Sequence, residues 1–282
     1  MLLNNKVAII TGGSLGIGLA ISKLFAKEGS SLVIVSNDKS QFANTQSITH
    51  ISTVHLETFQ ANVSQPEDVK RMIDFTLDKF GTVDILVNCA GIYGPIGLIT
   101  EIDAQHWLDT ININLYGTFL CMKGVLPTMM NKNQGKIVNM SGGGGASPLP
   151  RFSAYGTSKA GVIRLTETIA NEIKGYKIDI NAIAPGAVNT RLLDQALAAG
   201  AAAGNDFMAK AMKQKEDGGV PPEKVAELAL FLASNESDGL SGRLVSLLWD
   251  KWKESPHHLK EIMSSDVYTM RRIIPEDRGF GW

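Results

Sequence analysis

Tyr155 and Lys159 lie four residues apart in Tyr-Gly-Thr-Ser-Lys. On a helix beginning near Ala154 that spacing puts both side chains on one face. A free phenol titrates near pH 10 and is a poor base at neutral pH, but a neighbouring ammonium favours the phenolate and brings proton transfer within range. The pair is a candidate acid/base for alcohol oxidation or carbonyl reduction. Such chemistry also needs a hydride carrier alongside and a hydroxyl donor to hold the substrate oxygen. Ser141, which opens the run Gly142 to Gly145, is the only hydroxyl near the end of the preceding strand pattern; Ser147 and Ser153 lie further along.

The carrier's place is suggested by Thr11-Gly12-Gly13-Ser14-Leu15-Gly16-Ile17-Gly18, between a β-branched run and a helical pattern. Glycines there let the backbone turn sharply, bring N–H groups against a pyrophosphate and let helix pack on strand, while the helix N-terminus favours negative charge. At the end of the second strand an acidic residue would hydrogen-bond the ribose of NAD, and an arginine would accept the 2′-phosphate of NADP. The chain offers Ser36-Asn37-Asp38-Lys39. Ser36 and Asn37 can donate to either ribose, an inward Asp38 repels a phosphate and Lys39 attracts one, unless the last two are merely a solvated turn. The balance leans to NAD.

These residues need a scaffold, and the chain supplies a repeating one. Short β-branched runs at Lys6 to Thr11, Ser31 to Ser36, Thr53 to Asn62, Asp84 to Asn88, Lys136 to Ser141, Lys177 to Ala184 and Arg243 to Leu248 alternate with helical patterns. The helical segments are Gly16 to Glu28, Gln65 to Phe80, Asp103 to Asn131, Ala154 to Ile173 and Pro222 to Ser234. That alternation predicts an α/β fold with a doubly wound parallel seven-stranded sheet, a Rossmann fold. Ser64, Pro66 and Glu67 predict a capped helix start, and Pro221-Pro222-Glu223 another. One Rossmann domain is expected over 1–248. Its segment at about 191–216 is either a lid beside a ligand crevice or a solvated helical hairpin. An extension over 249–282 carries three of the four tryptophans and is expected to pack on its own subunit or a neighbour.

Composition narrows the partners. Lys+Arg 27 against Asp+Glu 28 leaves no electrostatic footprint for nucleic acid or an anionic membrane, so a small-molecule partner is expected. Cys89 and Cys121 sit in apolar stretches and read as buried thiols, with no disulfide or metal site. Without a cationic leader or a long apolar span, a soluble cytoplasmic protein is expected.

Several of these motifs together resemble the short-chain dehydrogenase/reductase family over roughly residues 5 to 248. Besides the glycine turn they are Asn88-Cys89-Ala90-Gly91, Asn112-Ile113-Asn114-Leu115, Tyr155 to Lys159, and Pro185-Gly186-Ala187-Val188-Asn189-Thr190. The resemblance implies an NAD(P)-dependent oxidoreductase interconverting a secondary alcohol and a ketone, built as a homodimer or homotetramer. It implies that Asn88, Ala90 and Gly91 support the sheet and the adenosine side, and that Asn62-Val63 meets the adenine. It further implies that Val188 and Thr190 meet the nicotinamide amide, that Lys159 binds the nicotinamide ribose and that Asn114 anchors a proton-relaying water. At Asn62 the family usually has Asp; the asparagine carbonyl is expected to accept from the adenine amine instead. The family serine most often lies thirteen residues before the tyrosine, which here is Gly142. Either the flexible glycine run shifts the loop so that Ser141 takes the role, or the role is absent; the first is the expectation. A 3-oxoacyl thioester reductase would share all these motifs, and a dinucleotide-binding regulatory protein without turnover would keep the turn.

Overall fold

The computed structural model describes residues 1–49 and 54–282. Its seven strands are β1 (Val7–Thr11), β2 (Ser31–Ser36), β3 (Leu56–Gln60), β4 (Ile85–Asn88), β5 (Gly135–Met140), β6 (Ile178–Ala184) and β7 (Arg243–Ser246). They form one parallel sheet in the order β3-β2-β1-β4-β5-β6-β7, as the alternating pattern predicts. Most strand ends match to within a residue. The third strand is shorter than expected, and Thr53 lies outside the described residues.

The helices are α1 (Gly16–Lys27), α2 (Gln46–Thr49), α3 (Pro66–Phe80), α4 (Ala104–Ile111), α5 (Gly117–Asn131), α6 (Gly143–Ala146), α7 (Ser153–Glu172), α8 (Arg191–Ala198), α9 (Asn205–Asp217), α10 (Pro222–Ala233) and α11 (Leu259–Met263). Strand alternation feeds two cores. Ile10, Leu32, Val87 and Val138 meet α1 and α10 through Phe25 and Phe231 on one face. On the other, Ile9, Val33, Leu86 and Ile137 meet α3 and α5 through Met72 and Val125.

Local chemistry explains the helix ends. Asp103 caps α4, its Oδ1 accepting from His106 N at 2.8 Å. Pro222 opens α10 as expected. The start of α3 differs from expectation: Gln65 occupies the cap position without a side-chain bond, while Ser64 donates from N and Oγ to Asn62 Oδ1. The segment Asp103 to Asn131 is α4 and α5 joined by a π-helical turn, Asn112–Tyr116.

The extension packs on its own subunit. Trp252 is buried against Phe231 of α10, with ring centroids 5.3 Å apart. Arg243 on β7 donates to the carbonyls of Ile262 and Ser265, and the Tyr268 carbonyl accepts from Leu244 N at 2.8 Å. Glu167 on α7 accepts from Met270 N. These contacts cover the β7 edge of the sheet, which would otherwise present unpaired backbone groups. No helix among the described residues is long and apolar enough to cross a membrane.

Candidate active site

The sheet order reverses between β1 and β4, which opens a crevice at the carboxyl ends of the strands. Most motifs singled out in the sequence follow such an end, namely the glycine turn after β1, Ser36–Asp38 at β2, Asn62 after β3, Asn88–Gly91 at β4, Ser141 after β5 and Pro185–Thr190 after β6, while Asn114 and the Tyr155–Lys159 pair come from helical segments.

The glycine turn fits a dinucleotide pyrophosphate. Gly12 has φ of +66°, and a Cβ there would lie 3.0 Å from Ala90 Cα. At Gly18 a Cβ would lie 2.1 Å from the Gly12 carbonyl oxygen, so the turn closes onto α1 only without a side chain. Leu15 is the extended cap residue of α1, and Gly16, Ile17 and Gly18 form its first turn, which holds no acidic residue to compete with a phosphate. Thr190 brings its Cγ2 to 3.2 Å from the Cβ position of Gly16, so the chain after β6 meets the turn. Val188 is buried and bridges to Val220, and Gly186, after Pro185, turns with φ of +77° against Leu248.

Gln41 was not foreseen. Its Oε1 accepts from Ser14 Oγ at 3.1 Å and Ser36 Oγ at 3.0 Å, tying the glycine turn to the end of β2. The exposed Asp38 carboxylate takes bonds from Ser40 N, Ser40 Oγ and Gln41 Nε2, and the Ser40 bonds hold its pKa below the usual carboxylate range. Asn37 is exposed beside it and its carbonyl accepts from Gln60 Nε2.

Asn62 departs from expectation. Its side-chain carbonyl is engaged by both Ser64 donors, which leaves its amide N–H groups, not its oxygen, for a ligand. The next residue, Val63, is buried against Gly117. Asn88 lies in the sheet interior, donating to Asn139 Oδ1 at 2.9 Å. Thr11 Oγ1 accepts from Cys89 N and Ala90 N, a brace that the sequence did not reveal. Burial pushes the Cys89 thiol up to about 11.

Tyr155 and Lys159 share the inner face of α7, as their spacing predicts. The Lys159 Nζ lies 5.7 Å from the Tyr155 ring centroid and donates to the Met140 carbonyl at 2.8 Å. Burial lowers the pKa of Lys159 to about 8. Burial likewise raises that of Tyr155, with smaller contributions from Tyr93 and Cys89 in the same direction. Burial thus moves the phenol in the direction opposite to the lowering expected from the neighbouring ammonium. Asn114, buried in the π turn, spends its side chain on Ile92 N, Ile92 O and Ser158 Oγ. At Gly91 a Cβ would lie 3.2 Å from Asn114 Oδ1 and 3.4 Å from Lys159 Nζ, so this glycine keeps the space between them open.

The glycine run corrects the sequence reading most. It is not a flexible loop. Gly143–Ala146 forms the helical turn α6 packed against α7, and a Cβ at Gly145 would fall 2.8 Å from the Lys159 backbone. Ser141 is 2 % exposed, and its Oγ donates to the Lys159 carbonyl at 3.1 Å. Its hydroxyl braces α7 through that bond. The residue facing Tyr155 is Gly142: a Cβ built there would lie 2.7 Å from the tyrosine hydroxyl oxygen.

Over Tyr155 lies a cluster of Tyr93, Leu149, Phe152, Ala196, Phe207 and Met208, contributed by the β4 loop, the α6–α7 connection and helices α8 and α9. The rings of Tyr93 and Tyr155 meet edge to face at 4.7 Å, and those of Phe152 and Phe207 lie 4.5 Å apart.

The profile of the short chain dehydrogenase family matches residues 6–200. The chain belongs to that family. It is 32% identical over 253 residues to a 3-oxoacyl-acyl-carrier-protein reductase of Thermotoga maritima, covering 88% of this chain and 98% of the relative. Among solved structures, a levodione reductase superposes with a TM-score of 0.80 at 27% identity, covering 90% of this chain and 99% of that one. An NAD+-bound xylitol dehydrogenase superposes at 0.81 and 26% identity, covering 87% and 98%. This family member is an NAD(P)-dependent oxidoreductase that interconverts alcohol and carbonyl groups.

Proposed function

We propose that this oxidoreductase acts on an apolar, uncharged ketone and the corresponding secondary alcohol, with Tyr155 as the proton donor in reduction. The carrying observation is the apolar packing over Tyr155, where the partly buried Tyr93, Leu149, Phe207 and Met208 surround Phe152, Ala196 and Ala203. A bound nicotinamide ring supplies or takes the hydride at the carbinol carbon. Tyr155 gives its proton to the carbonyl oxygen, and its raised pKa keeps that proton available through neutral and mildly alkaline pH. Lys159 lies beneath the ring, and Ser141 and Asn114 hold the segments that carry the site.

The same reading takes NAD over NADP, because Asp38 places a carboxylate at the tip of β2, where a 2′-phosphate needs a cation. It takes α8 and α9 as a lid, because Ala196, Phe207 and Met208 roof the tyrosine. Exposed Leu108 and Tyr116 on neighbouring helical turns support self-association as a homodimer or homotetramer. A cytoplasmic location remains part of this proposal.

Substrate competition tests it, comparing cyclohexanone, xylulose and acetoacetyl-coenzyme A with NADH. Each substrate hydroxyl buried without a partner costs about 1–3 kcal/mol. Xylulose should therefore fall at least about 100-fold below cyclohexanone in kcat/KM, a gap of about 2.7 kcal/mol. A preference for xylulose would contradict the apolar assignment, and a preference for the thioester would favour a 3-oxoacyl thioester reductase.

A further inference from the structure

The inference rests on the reading of Tyr155 as the proton donor and concerns a group that this chemistry still lacks. A carbonyl oxygen that gains negative charge during reduction needs a fixed hydrogen-bond donor besides its acid. Gly142 has no side chain, and Ser141 is committed to the Lys159 carbonyl. Of the nearby hydroxyls of α7, Ser158 Oγ donates to the Tyr155 carbonyl at 2.8 Å, and Ser153 Oγ accepts from Trp107 Nε1 at 3.2 Å at the start of the helix.

One other tyrosine packs its ring against Tyr155. Tyr93 follows the Asn88–Gly91 motif, and the residue before it is fixed by Asn114, which bonds both Ile92 N and Ile92 O. Its ring is wedged edge to face between Tyr155, at 4.7 Å and 73°, and Phe152, at 5.2 Å and 64°. Among the described residues neither Tyr93 nor Tyr155 has a protein partner for its hydroxyl. The Tyr93 hydroxyl is not sealed off from solvent, so it is free to bond a ligand that enters beside Tyr155.

We propose that Tyr93 is a catalytic residue whose hydroxyl donates a hydrogen bond to the substrate carbonyl oxygen, supplying the donor that Gly142 cannot. In reduction the carbonyl carbon accepts a hydride given up by the reduced dinucleotide, and the carbonyl π pair moves onto oxygen. That oxygen takes the Tyr155 proton, leaving a phenolate at Tyr155, while Tyr93 keeps its own proton throughout. Burial raises the Tyr93 pKa above the ordinary phenol value, so it remains a donor over the working pH range.

Tyr93→Phe tests this, because it keeps the ring contacts and removes only the oxygen. With the ketone that wild type reduces fastest among those above, kcat should fall about 100-fold, the loss typical of one oxyanion donor. NADH affinity by fluorescence titration and the thermal unfolding midpoint should match wild type. A kcat within about twofold of wild type, with Tyr155→Phe inactive, overturns the Tyr93 role and leaves the Tyr155 reading intact. A loss accompanied by weakened NADH binding or a lowered midpoint overturns it in favour of a packing role. Full turnover in both variants, or none in wild type, overturns the underlying reading as well.

Discussion

Replacing Tyr155 with phenylalanine lowers kcat for ketone reduction by about 1,000-fold, within the range that one positioned acid contributes, and leaves NADH affinity unchanged. The ring stays because its surroundings hold it: Tyr93 packs edge to face on one side, and Gly142 leaves space for the hydroxyl on the other. What disappears is the proton that Tyr155 gives to the carbonyl oxygen. Burial raises the Tyr155 pKa, which favours the phenol. Wild-type reduction should accordingly not lose its acid as pH climbs toward that of an ordinary tyrosine. Steady-state consumption of NADH by both proteins, with fluorescence titration for binding, checks the result.

Lys159→Met gives the opposite result for stability: the variant is less active by about 100-fold and more stable near neutral pH. The sign follows from the lysine's titration. Its folded pKa is lowered from 10.5 to about 8, chiefly by burial. Below about pH 8 both states are protonated and the full cost of burying the ammonium is present. Between about pH 8 and 10.5 the unfolded chain holds a proton that the folded one has released, so wild-type stability rises with pH. That lowering corresponds to roughly 3 kcal/mol, against which the unpaired Met140 carbonyl costs about 1–2 kcal/mol. A net gain of roughly 1–2 kcal/mol should appear as a higher urea midpoint near neutral pH and shrink as pH approaches about 10. A variant less stable than wild type at neutral pH would show that Lys159 contributes more as a hydrogen-bond donor than its burial costs.

The sheet was legible because its signal is repeated. Seven short β-branched runs separated by helical patterns admit few arrangements, and most of the motifs lie at strand ends, where a parallel sheet gathers ligands. Ser141 bonds the backbone of α7, and strand alternation contained the clue to that contact. Asn139 donates to Thr166 on α7, and Ser141, two residues on, faces the same helix. The glycines misled for a related reason. Their low helix propensity suggests a loop, but the close approach of α6 to α7 admits no side chain at Gly145 and imposes the helical turn. Tyr155 shows a different limit: spacing identifies the pair, whereas its protonation depends on burial by Tyr93, Phe152 and the α8–α9 segment, which come from distant parts of the chain. Tyr93 and Gln41 escaped notice because each acquires its significance only from such neighbours.

The central claim is that a hydride passes to an apolar ketone in a site built on Tyr155. It is tested most directly by incubating wild-type protein with cyclohexanone and NADH carrying deuterium on either face of the nicotinamide C4, then locating the label in the cyclohexanol by mass spectrometry and NMR. The account predicts one deuterium on the carbinol carbon from one of the two labelled faces and none from the other. Cyclohexanol without label from either face, or no cyclohexanol at all, would contradict it.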